Sequence, residues 1–439
     1  MYSRPHESLA GTIAAQEARD LIRSCVHCGF CLPACPTYRV TGNELDSPRG
    51  RIYLIKEALE HGAANATART HLDRCLTCRA CETACPSGVQ YGRLVDLGRE
   101  LVEARPPPPR SLRERLLRRA LLTVATRRAL FTPLVRFGQA ARPALPRAVK
   151  SLVPERPAAR ETRTWPSPRH ARRMAVLEGC VQPGLAPQIN AAAARVLDRL
   201  GVSLVAAREV GCCGAMDHHL GRTDAALAQV RRNVDASLRL LDGGVEAIVS
   251  TASGCGVYAK DYAYALRHAA QPLRIAATRV GAATRDLSEV IDLQALARLW
   301  ADHHPGEGSP ARARAASGAV QARIRVAWQA PCSLQHGQRD VTSGKVEAIL
   351  RTTGCELLPL RDSTLCCGSA GTYSILQPGL STELRRRKLE SLTSGGPDVI
   401  ATANIGCLEH LRQASPVPVR HWVEIVDAAL RDQRSATTT

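Results

Sequence analysis

The chain has 439 residues, 45% of them hydrophobic and 23% charged, which is ordinary globular material and excludes global disorder. Lys and Arg (59) outnumber Asp and Glu (40) for a formal charge of +19, yet three Phe, four Trp and eight Tyr supply few stacking platforms, and no nucleic-acid partner is expected. Seventeen cysteines are clustered rather than scattered. Residues 1–21 lack an apolar signal core and no apolar run reaches the roughly 18 residues of a membrane span, so a cytoplasmic chain with reduced thiols is expected, and metal or redox chemistry is favoured over disulfides.

Residues 1–104 carry two runs of identical spacing. Cys25, Cys28, Cys31 and Cys35-Pro36 form the first, and Cys75, Cys78, Cys81 and Cys85-Pro86 the second; both match the C-x₂-C-x₂-C-x₃-C-P run of bacterial two-cluster ferredoxins. Three thiolates two residues apart wrap one face of a cubane, and the fourth, deflected by the proline, reaches the other cluster. Cys25, Cys28, Cys31 and Cys85 are therefore expected to hold one [4Fe–4S] cluster, and Cys75, Cys78, Cys81 and Cys35 the second. Structural zinc, which takes four ligands usually in two separated pairs, fits this pattern poorly. His27 reads as a neighbour rather than a ligand. Between the runs, Ser47-Pro48 marks a helix start, Ile52, Ile55 and Leu59 give it an apolar face, and Arg49 and Arg51 fall near the clusters.

Residues 105–173 hold 18 basic side chains against three acids, Glu114, Glu155 and Glu161. Pro106 to Pro109 reads as a stiff spacer, and Leu112, Leu116, Ala120 and Val124 recur at helical spacing among Arg113, Arg115, Arg118 and Arg119. This segment reads as a basic, Pro/Arg-rich helical linker. Its apolar stripe packs on its own protein, or docks on an anionic membrane or an acidic partner.

From residue 174 the sequence repeats. The first copy (174–300) has Cys180, Cys212-Cys213-Gly214 and Cys255; the second (324–430) has Cys332, Cys366-Cys367-Gly368 and Cys407, offset by 152 to 154 residues and separated by a Gly/Pro/Ala-rich bridge at 301–323. Each copy reads strand, helix, strand, CCG turn, helix, strand, which predicts parallel α/β units with the cysteines at strand ends, where such sheets bind ligands. These eight cysteines are candidates for a further iron–sulfur centre, for zinc, or for plain thiols. Cys355 lies outside the repeat and reads as a buried core thiol. His218, His219 and His336 flank the cysteines and read as core or surface histidines. No G-x-G-x-x-G follows a predicted strand, so no dinucleotide site and no catalytic residue is assigned to this chain.

CPTYRVTGNELDSPRGRIYLIKEAL, GCCGAMDHHLG, TASGCGV, APCSLQHGQ, LCCGSAGTYSILQP and ANIGC together resemble the iron–sulfur subunits of glycolate oxidase, over about residues 19–430. The resemblance implies a helical dicluster ferredoxin domain followed by two duplicated α/β cysteine-rich CCG domains. It implies a subunit of a glycolate (or D-lactate) dehydrogenase whose acceptor is neither NAD nor O₂. FAD-binding partner subunits would oxidise the 2-hydroxy acid, and this chain would pass electrons to an acceptor at the cytoplasmic face of the inner membrane. Lactate-utilisation, anaerobic glycerol-3-phosphate dehydrogenase and heterodisulfide reductase subunits are the related alternatives. The full CCG pattern has a fifth cysteine, and here Ala252 and Asn404 stand in its place.

Overall fold

The computed structural model describes residues 1–104, 110–146, 153–154, 164–304 and 323–431. The Pro106 to Pro109 spacer, Glu155, Glu161 and most of the bridge between the copies lie outside the described residues.

The N-terminal unit is helical. Helices Ile13–Arg23, Pro48–His61, Ala66–Asp73 and Tyr91–Ala104 pack around Ile22, Ile55, Leu59, Leu72 and Leu94, all buried. Burying each such side chain stabilises by about 1.5–3 kcal/mol. Helix Pro48–His61 begins where the sequence predicts: the Ser47 hydroxyl accepts from the Gly50 N–H, Pro48 occupies the first turn, and Ile52, Ile55 and Leu59 face inward.

The repeat folds into two parallel sheets. The first comprises β1 (Arg172–Val176), β2 (Val202–Ala206), β3 (Ile248–Ser250) and β4 (Thr284–Asp286) in the order β2-β1-β3-β4. The second comprises β5 (Arg325–Gln329), β6 (Glu356–Leu357), β7 (Val399–Thr402) and β8 (Val419–His421) in the matching order β6-β5-β7-β8. The fourth strand of each unit is absent from the sequence expectation. Both β4 and β8 are three residues long and run straight into a capped helix, too short to show a strand pattern. The predicted elements otherwise fall into place: QINAAAARVLDR is helix Gln188–Arg199, ended before Gly201, and VSLVA is β2.

The two units share one core. Helix Gln188–Arg199 of the first lies on helix Trp422–Ala429 of the second, with Ile189, Leu197, Val423 and Val426 in a common apolar cluster. Arg195 pairs with the fully buried Asp427 at 2.6 Å, and His421 bonds the Thr251 carbonyl at 2.9 Å. Cys355 sits in this core as expected, and burial pushes its thiol up to about 11.

The basic segment forms helices Leu112–Ala125 and Arg128–Ala141. Its apolar stripe does not pack on the protein: Leu112 and Leu116 are 69% and 58% exposed. Arg118 turns inward instead, to Asp73 at 2.8 Å, because the buried Asp73 carboxylate needs cations and takes Arg110 and Arg118 together.

Candidate metal centres

The two ferredoxin-type loops share one backbone device. The residues on either side of the second cysteine are left-handed in both: His27 (φ 58°) and Gly29 (φ 87°) around Cys28, Thr77 (φ 53°) and Arg79 (φ 62°) around Cys78. Three of the four have side chains and carry strain of about 1–3 kcal/mol each, which surrounding structure must hold in place. The turn brings peptide N–H groups toward sulfur, and the Thr77 N–H lies 3.4 Å from Cys75 Sγ. Amides so aimed form a nest for a thiolate-bound anion.

Cys25, Cys28, Cys31 and Cys85 line one hollow, together with Cys81. Cys35, Cys75, Cys78 and Cys81 line the second. The fourth cysteine of each run has thus crossed to the other loop. His27 is solvent-exposed, and its carbonyl, not its ring, meets Arg49 at 3.4 Å. Arg49 lines the first hollow and Arg51 the second.

Arg51 is 1% exposed and anchors the second hollow from below. Its guanidinium donates to the His71 carbonyl at 2.7 Å and to Thr37 Oγ1 at 3.0 Å, lies 3.6 Å from Asp46, and reaches Cys35 Sγ at 3.9 Å. Burial opposes its charge, but Cys75, Tyr91, Cys35 and Asp46 outweigh burial and raise its pKa. Tyr91 points its hydroxyl at Cys75 Sγ, 3.9 Å away. A fixed cation beneath four thiolates suits an anionic cluster.

Each repeat unit gathers its four cysteines at the C-terminal ends of its first three strands. Cys180, Cys212, Cys213 and Cys255 form a file of neighbouring thiols in the first, and Cys332, Cys366, Cys367 and Cys407 in the second, where the Cys367 and Cys407 sulfurs are 3.1 Å apart. Contact with Cys212 and burial push the Cys180 thiol well up, and contact with Cys366 and burial do the same to Cys332. The glycine of each CCG turn is left-handed, Gly214 at 102° and Gly368 at 86°, and a Cβ on Gly368 would meet the Ser381 carbonyl at 2.6 Å.

Single-ion binding is a poor fit to all of these cysteines. A tetrahedral zinc with bonds of about 2.3 Å brings sulfurs to about 3.8 Å from one another. Among the described residues, only Asp96, His218 and His219 place three ligand atoms within 4.8 Å of each other. That trio joins the N-terminal unit to the first repeat unit: His219 Nδ1 is 3.0 Å from Asp96, and the two histidines, with His218 the largest influence after His219, hold the buried carboxyl well below its usual range despite burial. Sequence reasoning read both as core or surface histidines because their partner lies 122 and 123 residues away on helix Tyr91–Ala104. His336 bonds Thr83 through Nδ1 at 2.9 Å, so all three histidines serve contacts between units.

Lys388 is a buried cation beside the second CCG turn that sequence reasoning did not single out. It is fully buried in helix Pro378–Thr393 and donates to the carbonyls of Asp362 (3.1 Å) and Ser363 (2.9 Å), just before the second CCG turn. Burial lowers its pKa to about 8, with Cys367, Cys366 and Cys407 acting the other way.

Comparison with known proteins agrees with this architecture. A 4Fe-4S dicluster domain family matches residues 22–89, and a cysteine-rich domain family matches residues 174–258 and 326–412. The chain is 44% identical over 435 residues, 99% of its length and 100% of the relative's, to the glycolate oxidase iron-sulfur subunit of Escherichia coli (strain K12). It is 28% identical to the probable glycolate oxidase iron-sulfur subunit of Bacillus subtilis (strain 168), over 89% of this chain and 88% of that one. Lactate utilization protein A of Exiguobacterium sp. is 23% identical over 59% of this chain and 98% of its own. With near-complete coverage by the first relative and the dicluster and duplicated cysteine-rich units both in place, the chain belongs to the family of glycolate oxidase iron–sulfur subunits.

Proposed function

We propose that the chain is the electron-carrying subunit of a glycolate-oxidising complex, in which a separate FAD-binding subunit performs the hydroxyacid chemistry. The observation that supports this is the crossed lining of the two N-terminal hollows: Cys85 of the second run lines the hollow of Cys25, Cys28 and Cys31, and Cys35 of the first run lines that of Cys75, Cys78 and Cys81. In this reading Cys25, Cys28, Cys31 and Cys85 hold one [4Fe–4S] cluster and Cys35, Cys75, Cys78 and Cys81 the other; such clusters supply one-electron carriers. The chain's own part is to orient the thiolates through left-handed loops, to balance their charge with Arg49 and Arg51, and to bury the second set from water. The units divide as a dicluster domain (1–104), a basic linker (105–173), two cysteine-rich domains (174–300 and 324–430) and a bridge (301–323). The test is to mix anaerobically purified chain with the flavin subunit and add glycolate. Bleaching of the iron–sulfur absorbance supports the reading; clusters that stay oxidised beside a reduced flavin overturn it.

The basic helices are the membrane-facing surface in this reading. Leu112, Leu116, Leu130, Leu134 and Phe137 are 69%, 58%, 47%, 56% and 72% exposed. Among the described residues, the exposed Arg113, Arg115, Arg119 and Arg136 beside them have no ion-pair partner. Exposed leucines and phenylalanine amid unpaired arginines are the composition of a helix that lies in an anionic lipid interface, and no helix among the described residues is long and apolar enough to cross one. Charge reversal at Arg113, Arg115, Arg119 and Arg136 to Glu is expected to release the protein from phosphatidylglycerol vesicles in a flotation assay. Unchanged flotation would remove the membrane from the proposal.

A further inference from the structure

Where the first cysteine-rich unit meets the dicluster domain, three ligand-type side chains converge outside every cysteine site. His218 and His219 end the short helix that starts at the left-handed Gly214, directly after Cys212-Cys213. Asp96 comes to them from helix Tyr91–Ala104. The loop carrying the histidines is pressed onto that helix: a Cβ on Gly221 would meet Glu103 Cγ at 2.8 Å and the Arg99 carbonyl at 3.1 Å, and Thr223 donates to Glu100 at 3.1 Å. Adjacent residues on a helix do not face one another, yet the two imidazole planes lie 22° apart and both present Nδ1 to the one carboxylate.

Hydrogen bonding leaves this cluster incomplete. His219 Nδ1 lies 3.0 Å from Asp96 Oδ1, a normal hydrogen bond. His218 Nδ1 lies 3.9 Å from Asp96 Oδ2, too far for one, and among the described residues it is buried with no partner. Tyr258, 8% exposed, stands over the two rings with centroids 5.5 and 6.0 Å away, and its hydroxyl is also buried without a partner. Two orphaned polar atoms beside a carboxylate that is 10% exposed call for a cation. Arg99 is 3.8 Å from Asp96 but is committed to the other cluster loop, donating to the Leu72 and Cys75 carbonyls and to Thr77 Oγ1.

The spacing suits one ion. The three ligand atoms lie within 4.8 Å of one another. A tetrahedral ion with bonds of about 2.1 Å holds its ligand atoms about 3.4 Å apart, and the separations of 3.0 and 3.9 Å lie on either side of that value. We propose that Asp96, His218 and His219 form a mononuclear site for a borderline divalent metal ion, zinc by its donor set, that staples the first cysteine-rich unit to the dicluster domain. Two imidazoles and a carboxylate are the ligands zinc takes, with water in the fourth position. Because Arg99 of the same helix holds the Cys75 loop, the ion ties the first CCG turn to the second hollow.

The experiment is equilibrium dialysis of the anaerobically prepared, cluster-loaded full chain against buffered Zn²⁺, with zinc and iron counted together and zinc-edge X-ray absorption on the loaded protein. Wild type is expected to take up about one zinc per chain in a nitrogen and oxygen shell. His218→Phe keeps the stacked ring and removes a nitrogen that makes no hydrogen bond. It is expected to keep its iron and to bind that zinc more than about 100-fold more weakly, beyond the loss typical of outer-shell partners. Asp96→Asn is expected to show the same loss. Zinc should raise the melting temperature of wild type but not of His218→Phe. No saturable zinc in wild type, sulfur around all of the bound zinc, or equal uptake by His218→Phe overturns the site. Each result is read at unchanged iron content, so it stands apart from the dicluster assignment.

Discussion

The N-terminal unit and the repeat each gather eight cysteines, and they do so by opposite means. In the first, two short loops carry the ligands in sequence order, left-handed residues aim them, and a buried charge web of Arg51, Asp46, His71 and Arg74 lies beneath. In the second, each quartet is assembled from three strand ends spread over about 75 residues, and the units are fixed to one another by contacts between separate elements, the Arg195–Asp427 ion pair and the neutral His421–Thr251 bond. The difference separates a site encoded by local spacing from one encoded by topology. It also explains why one was legible in the sequence and the other only half so.

The sharpest way to break the comparison is at Cys35, which belongs to the first run by sequence and to the second hollow by position. Cys35→Ala is expected to abolish the same EPR signal as Cys75→Ala and to leave the signal lost in Cys28→Ala, with iron falling by about four atoms per chain. If Cys35→Ala instead matched Cys28→Ala, the runs would be self-contained and the crossed geometry wrong.

What sequence reasoning read well follows from the same division. The helix start at Ser47-Pro48 and the strand-and-helix alternation of the repeat both rest on periodicities of fewer than about 20 residues. It missed β4 and β8, whose three residues carry no period, and it missed Lys388, which on a helix reads as one more surface cation. It could not orient the basic helices either. Leu112 and Leu116 form a regular stripe, but Asp73 on a distant helix captures Arg110 and Arg118 and turns that stripe outward.

A smaller effect is expected at the charge web. Arg51→Met removes the one cation that binds Thr37, the His71 carbonyl and Asp46 at once, under walls already strained by left-handed Thr77 and Arg79. A loss of about 3–5 kcal/mol is expected from breaking a buried ion pair, measured by denaturant unfolding of the cluster-loaded protein. The midpoint of the second cluster should fall as well. A loss below about 1 kcal/mol would mean that His71 and Arg74 satisfy Asp46 on their own and that the N-terminal unit does not depend on Arg51.

The repeat should show the weaker, pH-linked counterpart. His421 is fully buried at the start of helix Trp422–Ala429: Nδ1 accepts from the Val423 N–H at 3.2 Å, and Nε2 donates to the Thr251 carbonyl of the other unit at 2.9 Å. Both ring nitrogens are therefore used by the neutral form, and burial lowers the pKa from 6.5 to about 4. A depressed folded-state value means that the stabilisation is complete above pH 6.5 and is lost progressively as the pH falls toward 4, because the unfolded chain takes up the proton first. The full swing is about 3 kcal/mol at the conversion of roughly 1.4 kcal/mol per pH unit. His421→Gln should cost about 1 kcal/mol at pH 7 through its imperfect hydrogen bonds and should flatten the fall in melting temperature on acidification. The slope will not vanish, since burial also pushes His336 and His410 to about 4. A variant that kept the wild-type slope would place the acid sensitivity in those two histidines and leave the contact between the repeat units indifferent to pH.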